Sequence, residues 1–190
     1  PSDSVFLCVV DPGVGGDRAP LVVRADGRWF VGPDNGLFEL VCRRARTVAA
    51  WRIDWRPERL SASFHGRDLF APVAAMLARG EPPPGSPVAP LACPDWPDDL
   101  PAVVYEDRYG NLMTGLRAAA LPPDAGLRTA GWTIAAGRTF SDVPAGDCLW
   151  YENSNGLAEI AANRASAARV LGIAPGASVT VVTRDSREVY

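Results

Sequence analysis

The apolar positions of the chain fall into short runs separated by glycine, proline and polar turns, and their spacing changes along the sequence. In the first part, runs of three to six residues predict strands, and two segments recur at helical spacing. In the later part the pattern is mainly that of strands. The predicted strands are 5–10, 21–23, 29–31, 48–53, 103–105, 132–135, 148–151, 157–161 and 179–183, and the predicted helices are 37–41, 68–79 and 165–171.

A proline-rich stretch divides these two patterns. Residues 82–87 read PPPGSP, and further prolines follow at positions 90, 94, 97 and 101. Proline fixes φ and lacks an amide hydrogen, so this stretch cannot form a helix or a central strand. We predict an extended linker over 82–101, with an α/β domain at 1–81 and a mainly β domain at 102–190.

Composition limits the class of protein. The 190 residues are 47% apolar, which favours a folded, soluble chain, and the net charge of -3 is spread without a basic stripe. Nucleic acid and membranes are therefore unexpected partners. The four cysteines are far apart, which favours reduced, mostly buried thiols in a cytoplasmic protein over disulfides or a metal site.

The first candidate for chemistry stands at the end of the first predicted strand. Asp11 follows Val9 and Val10 and leads into a turn with glycines at 13, 15 and 16. Side chains at strand ends meet solvent or ligand, and glycines let another group approach the backbone. Asp11 is thus a candidate functional group, although an ordinary strand and turn would look the same.

Three further segments carry polar groups in loops. His65, the only histidine, lies just before a predicted helix, where Gly66 leaves space around the ring. A structural histidine fits equally, and Asp68 fits a carboxylate that complements the helix dipole. The turn at 153–156 could hold a carboxylate on its backbone N–H groups or be only a turn, and 106–112 could be a binding loop or a solvated hairpin.

Taken together, these segments resemble one family. The motifs VVDPGVG, PDNGLF, FHGRDLFAP, DRYGNL and NSNG with EIAAN occur in the order found in S-adenosyl-L-methionine (SAM) hydroxide adenosyltransferases, the water-using relatives of fluorinase and chlorinase. The resemblance implies an N-terminal α/β domain, a C-terminal β-barrel domain and a homotrimer with active sites between subunits. It also implies hydrolysis of SAM to adenosine and L-methionine by attack at C5′, with no cofactor or metal.

The resemblance assigns the water-activating group to Asp11, Arg18 and His65. These side chains would surround the nucleophilic water, with the guanidinium favouring hydroxide character and the other two orienting the water or accepting its proton. The halide-using relatives have a tyrosine in place of Asp11 and a small residue in place of His65. The chain therefore resembles the hydroxide type.

The resemblance also assigns substrate contacts. Asp107 would bind the methionine ammonium, and Ser154 with the backbone of Asn155 would bind its carboxylate. Asn111 would meet the adenine edge together with backbone groups near Ala162 and Arg164. The resemblance also assigns a substrate-binding aromatic residue, Tyr109, which stands where the family usually has phenylalanine.

One departure concerns the start of the chain. Family members carry an additional segment before the part matching Pro1, comparable to a strand-helix-strand unit, and it holds the ribose-binding aspartate. We therefore expect a fragment whose α/β domain is incomplete, with 5–10 as an interior parallel strand. Two alternatives remain open, a catalytically inactive SAM- or adenosine-binding module and a structural trimer subunit.

Overall fold

The computed structural model describes residues 1–183. It divides the chain after Trp96 into two compact units, each built from β-sheets with few helices. Most of the strands predicted from the apolar pattern are present.

The first unit contains one five-stranded mixed sheet in the order β1-β3-β2-β4-β5. Its strands are β1 Val5–Leu7, β2 Pro20–Ala25, β3 Arg28–Pro33, β4 Val48–Ile53 and β5 Gly85–Pro87. Only β1 and β3 pair in parallel. Strands β2 and β3 form a hairpin whose turn residues, Asp26 and Gly27, both have positive φ, as a tight two-residue turn requires.

Helices cover both faces of this sheet. Helix α1 spans Glu39–Arg44, and helix α2 spans Ala71–Ala78 and is preceded by a π-helical turn at Gly66–Phe70. Alternate residues of β2 point to opposite faces, so Val22 packs with Phe70 and Val73 while Leu21 packs with Phe38. The predicted helix over 68–79 is confirmed and begins earlier, at the π-helical turn.

The first strand differs from the prediction. It is short, it lies at the edge of the sheet, and Phe6, Leu7, Val9 and Val10 are between 44% and 65% exposed. The amide of Cys8 still donates to the carbonyl of Val31, but the chain leaves the sheet after that bond. The strand is therefore shorter than the predicted 5–10, and in this structure it pairs only with β3; the expectation of a second neighbouring strand stays a prediction.

The proline-rich stretch is also more structured than an extended linker. Gly85–Pro87 pairs with β4 at the sheet edge, where proline is tolerated because one side of the strand needs no amide donor. The later part is bonded to the same unit, since Glu39 accepts from the amide of Cys93 and Arg43 donates to the carbonyl of Trp96.

The second unit contains a four-stranded sheet in the order β10-β11-β7-β6 and a three-stranded sheet in the order β12-β8-β9, both antiparallel. One apolar cluster joins residues of both sheets, including Leu112, Ile160, Leu127 and Val181. The strands are β6 Leu100–Glu106, β7 Leu112–Arg117, β8 Gly126–Thr129, β9 Trp132–Ile134, β10 Cys148–Glu152, β11 Leu157–Ala162 and β12 Thr180–Val182.

Helix α3, Ala167–Leu171, completes this unit. The hydroxyl of Ser166 accepts from the amide of Arg169 at its start, and Gly172 ends it with a left-handed conformation. Strands β7 and β8 were not among the predicted elements. Their sequences, LMTGLR and GLRT, carry glycine and few β-branched residues, so propensity does not reveal them.

The structure also bears on the expectations about membranes and about the cysteines. Within residues 1–183, no helix is long and apolar enough to cross a membrane. The four cysteines are free and half-buried rather than fully buried, and burial raises the pKa of Cys8, Cys42 and Cys148.

Candidate active site

Three side chains predicted to act on water lie together in the first unit. The Nε atom of Arg18 donates to Oδ1 of Asp11 over 2.9 Å, and Nη2 of Arg18 donates to the other oxygen of the same carboxylate. The same Nη2 lies 2.8 Å from Nδ1 of His65. The side chains of Arg18 and Asp11 are only 9% and 5% exposed. Arg18 therefore joins the carboxylate and the imidazole in one largely buried cluster.

Glycines make this arrangement possible. Gly15 has φ of +78°, and a Cβ at this position would lie 2.6 Å from the carbonyl oxygen of Ala62, so the loop after Asp11 can approach the segment before His65 only with glycine. At Gly66 a Cβ would lie 2.8 Å from Cγ1 of Val9. The space that Gly66 provides is thus taken by Val9 rather than left open around the histidine ring.

A second motif braces the same loop. The side-chain amide of Asn35 donates to the carbonyl of Val10 over 2.9 Å, and its oxygen accepts from the amide of Leu37. Asn35 belongs to the PDNGLF motif and holds the residue that precedes Asp11. It is a positioning residue, and the sequence showed it only as part of a motif.

The hydrogen bonds decide which nitrogen of His65 is free. A guanidinium can only donate, so Nδ1 of His65 accepts from Arg18 and the neutral ring carries its proton on Nε2. Burial, followed by the positive charge of Arg18, lowers the pKa of His65 below its ordinary value of 6.5, against the opposing effect of Asp11. His65 is therefore neutral at neutral pH and presents Nε2–H as a donor.

Asp68 has the structural role expected of it. It lies in the first turn after His65, accepts from the amide of Ser61 and pairs with Arg67. These bonds, that of Arg67 first and that of the Ser61 amide second, lower the pKa of Asp68 to about 2. A carboxylate that stays ionised at the start of a helix interacts favourably with the positive end of the helix dipole.

The second unit holds a cavity of about 630 Å³ lined by most of the predicted substrate residues. Charged groups from three places meet there, two carboxylates and one guanidinium, together with aromatic rings. The lining residues are Asp107, Tyr109, Asn111, Phe140, Tyr151, Glu159, Ala162, Arg164 and Ala165. Five of the seven predicted substrate residues are therefore brought together, and Ser154 and Asn155 are outside the lining.

Asp107 shapes the loop that carries it. Its Oδ1 accepts from the amides of Tyr109 and Asn111, and its Oδ2 accepts from the side-chain amide of Asn111 over 3.1 Å. The loop is seated on helix α3, because a Cβ at Gly110 would lie 2.0 Å from Oγ of Ser166. Much of the hydrogen-bonding capacity of Asp107 is thus used within its own loop.

The turn at 153–156 is organised in a similar way. Oδ1 of Asn153 accepts from the amides of Asn155 and Leu157 at 2.9 and 3.1 Å. The backbone N–H of Asn155, predicted to bind a carboxylate, therefore already has an acceptor. The side-chain amide of Asn155 lies 4.0 Å from the sulfur of Met113.

Sequence reasoning missed four residues of the cavity lining, namely Phe140, Tyr151, Glu159 and Ala165. The hydroxyl of Tyr151 donates to Oε1 of Glu159 over 2.5 Å, and Phe140 packs edge-on against the Tyr151 ring. Burial, and then the bond to Glu159, raises the pKa of Tyr151. The signal available in the sequence was Glu159 itself, a single carboxylate in the otherwise apolar strand LAEIAA.

Comparison with known proteins bears on both units. The family described as SAM hydroxide adenosyltransferase matches with its N-terminal domain over residues 1–86 and with its C-terminal domain over residues 101–180. The chain belongs to this family. The resemblance inferred from the five motifs is thus confirmed.

Relatives and solved structures agree with this assignment. The (R)-S-adenosyl-L-methionine hydrolase of Thermus thermophilus is 42% identical over 96% of this chain and 77% of its own length. The enzyme of the same name from Salinispora arenicola is 38% identical over 94% of the chain and 74% of its length. A crystal structure of an uncharacterised conserved protein from Thermotoga maritima covers 96% of the chain and 78% of its own, with 29% identity and a TM-score of 0.83.

Among residues 1–183, no group of three or more His, Cys, Asp or Glu side chains is placed to hold a metal ion. The candidate functional groups of this family member are the cluster around Arg18 and the cavity of the second unit.

Proposed function

We propose that the protein hydrolyses SAM to adenosine and L-methionine, with the R epimer as its substrate. The observation that carries the proposal is the buried cluster of Asp11, Arg18 and His65 in a chain whose relatives are named (R)-S-adenosyl-L-methionine hydrolases. Because L already describes the α-carbon, R describes the configuration at the sulfonium.

The reaction is a single displacement at C5′. The water oxygen forms a bond to C5′ while the C5′–S bond breaks, and the bonding electron pair stays on sulfur, which becomes the neutral thioether of methionine. One water proton leaves the oxygen, whose other proton remains as the 5′-hydroxyl. The sulfonium is already a good leaving group, so the protein must mainly align the water, exclude bulk solvent and accept a proton, and no cofactor is required.

The cluster suggests a division of these tasks. Nδ1 of His65 is occupied by Arg18 and Nε2 carries the proton, so His65 orients the water as a hydrogen-bond donor. Asp11 keeps lone pairs on both oxygens beside the bonds from Arg18, and it receives the proton. Arg18 holds both groups in place and favours hydroxide character in the attacking water.

The second unit supplies substrate binding in this proposal. Asp107 binds the methionine ammonium, and Asn111 meets the adenine edge. Ser154 binds the methionine carboxylate, and the backbone N–H of Asn155 joins it by sharing its bond to Asn153. Tyr109, Ala162 and Arg164 complete the adenine side. Support comes from the cavity that Asp107, Asn111, Tyr109, Ala162 and Arg164 line together.

We further propose the architecture and assembly implied by the family. The first unit would be its α/β domain, supported by helices on both sheet faces, and the second its β-barrel domain, supported by one core shared by two antiparallel sheets. The exposed apolar side chains of Phe6, Leu7, Val9 and Val10 support burial of that edge in a cytoplasmic homotrimer. A sedimentation mass other than that of a trimer would contradict this assembly.

The reaction is tested with both sulfonium epimers in ¹⁸O-labelled water. We expect adenosine and methionine from the R epimer, with ¹⁸O at the 5′-oxygen of adenosine. Product without the label would refute direct attack by water, and binding without turnover would favour an inactive binding module. Replacing chloride by non-halide salts or adding a chelator is expected to leave the rate unchanged.

The role of His65 is tested by two variants that keep different parts of the ring's hydrogen bonding. His65→Gln retains an N–H near the position of Nε2, whereas His65→Asn retains an acceptor near Nδ1 only. We expect His65→Gln to keep more turnover, and His65→Ala and Arg18→Ala each to lose about 10²-fold or more in kcat with smaller effects on KM. If His65→Gln is as inactive as His65→Ala, a hydrogen-bond donor near Nε2 is not what His65 contributes, and its proposed role is wrong.

A further inference from the structure

Glu159 is the most buried charged side chain of the second unit that faces the cavity. The residue is 8% exposed and lies on β11, the strand between β10 and β7. Its neighbour across the ladder is Tyr151, and these two side chains point away from the core formed by Trp150 and Ile160. A carboxylate in this position is costly unless its charge is met.

Among residues 1–183, the groups that donate hydrogen bonds to Glu159 are neutral. Oε1 accepts from the hydroxyl of Tyr151, and Oε2 accepts from the side-chain amide of Asn153 over 2.9 Å. Within the described part of the chain, Glu159 forms no ion pair. A carboxylate offers about four acceptor positions, so capacity for a further donor remains on both oxygens.

The second carboxylate of the cavity is more fully used. Asp107 accepts from two backbone amides and from Asn111, all within its own loop. The charged lining therefore consists of one occupied carboxylate, one carboxylate with free capacity and the guanidinium of Arg164. Its formal charge is negative, which suits a cationic ligand group.

We propose that Glu159 is a binding residue for the α-ammonium of the methionine part of the substrate. This inference rests on the proposed function and adds a specificity residue to it. The ammonium supplies three donors, which match the free acceptor positions of Glu159 and the remaining one of Asp107. Through Asn153, the same carboxylate also steadies the turn that carries Ser154 and Asn155.

The ammonium is a better partner for a fixed carboxylate than the sulfonium. The sulfonium loses its charge as the C5′–S bond breaks, so a carboxylate beside it would stabilise the substrate more than the transition state and slow the reaction. The ammonium keeps its charge throughout. Glu159 then strengthens binding without opposing the chemical step.

The test compares Glu159→Gln with Glu152→Gln by calorimetric binding of SAM, L-methionine and adenosine and by steady-state kinetics. Glutamine keeps the shape and can still bond Asn153, while the Tyr151 hydroxyl can turn to accept from its amide. Glu152 lies on the same ladder but is exposed and outside the cavity lining, so it controls for loss of a charge.

We expect Glu159→Gln to weaken SAM and methionine binding equally, by about tenfold or more, with kcat and adenosine binding unchanged and Glu152→Gln silent. Weaker SAM binding with unchanged methionine binding would assign the charge to the sulfonium and overturn the inference. Unchanged binding of both would overturn it outright. If Glu159→Gln does not fold, Glu159→Asp, which withdraws the charge, must still weaken methionine and not adenosine.

Failure of this inference is distinct from failure of the proposed function. If the native chain neither binds nor turns over SAM, the proposed function fails. If the native chain turns over SAM and the Glu159 variants bind SAM and methionine as tightly as the native chain does, the hydrolase assignment stands. The ammonium site then lies elsewhere.

Discussion

Replacing Arg18 by methionine tests the buried cluster most directly. The substitution keeps much of the side chain's length and apolar contact but removes the guanidinium that bonds Asp11 and His65 and lies 5.3 Å above the Phe70 ring. Asp11, 5% exposed, is left as a buried carboxylate without its cation. Removing one partner of a buried ion pair costs about 3–5 kcal/mol in the free energy of unfolding.

This loss is large against the total stability of about 5–15 kcal/mol of an ordinary domain. We expect to measure it by native-state hydrogen exchange in the full chain, with peptides from β2 and β3 reporting on the first unit. The double variant Asp11→Asn with Arg18→Met removes both charges and should recover a large part of the loss.

Arg52→Met provides a matched control, since Arg52 pairs with Asp54 on the exposed surface of the same unit. The expected loss there is much smaller, because water screens exposed pairs. If Arg18→Met costs no more than Arg52→Met, or if the double variant is no better than the single one, the cluster is not held by a desolvated ion pair.

Three further outcomes follow from single positions. Gly66→Ala would place a Cβ 2.8 Å from Val9, and we expect a loss of about 1–3 kcal/mol in unfolding free energy with lower kcat, because His65 is displaced. The pKa of His65 is lower in the folded chain, so the unfolded chain binds more protons at His65. The unfolding free energy should therefore fall as pH decreases from about 6.5 through the folded pKa. In His65→Gln, this part of the pH dependence of the unfolding free energy should be absent. Gly110→Ala combines φ of +83° with a 2.0 Å approach to Ser166, and we expect a higher KM for SAM in steady-state assays, with an unchanged KM contradicting the seating of that loop.

The sequence pattern predicted the local structure of each segment better than it predicted which segments are neighbours in space. The strand over 48–53 and the helix after His65 were predictable because their apolar residues recur at regular intervals. The edge position of β1 was not, since a continuous apolar run looks the same whether one or both sides are paired. The pairing of Gly85–Pro87 also depends on a partner strand, which proline content alone cannot show.

In the candidate site, too, motif residues were predictable and contacts between distant residues were not. Asp11, Arg18 and His65, the three residues proposed to act on water, were found because each sits in a motif of the family, and the structure then showed which nitrogen of His65 is bonded to Arg18. Glu159 was missed because the pairing of β10 with β11 is what places it beside Tyr151. No residue adjacent to Glu159 in the sequence points to that contact.

The pleat of β10 and β11 has a consequence for how this enzyme could change during evolution. Successive residues face opposite sides, so Trp150 and Ile160 serve the core while Tyr151 and Glu159 serve the cavity. Substitutions at the cavity positions can alter which ligand is accepted while the core positions keep the domain folded. New substrate preferences can therefore arise on this sheet by exchange of one or two side chains, without compensating changes elsewhere in the second unit.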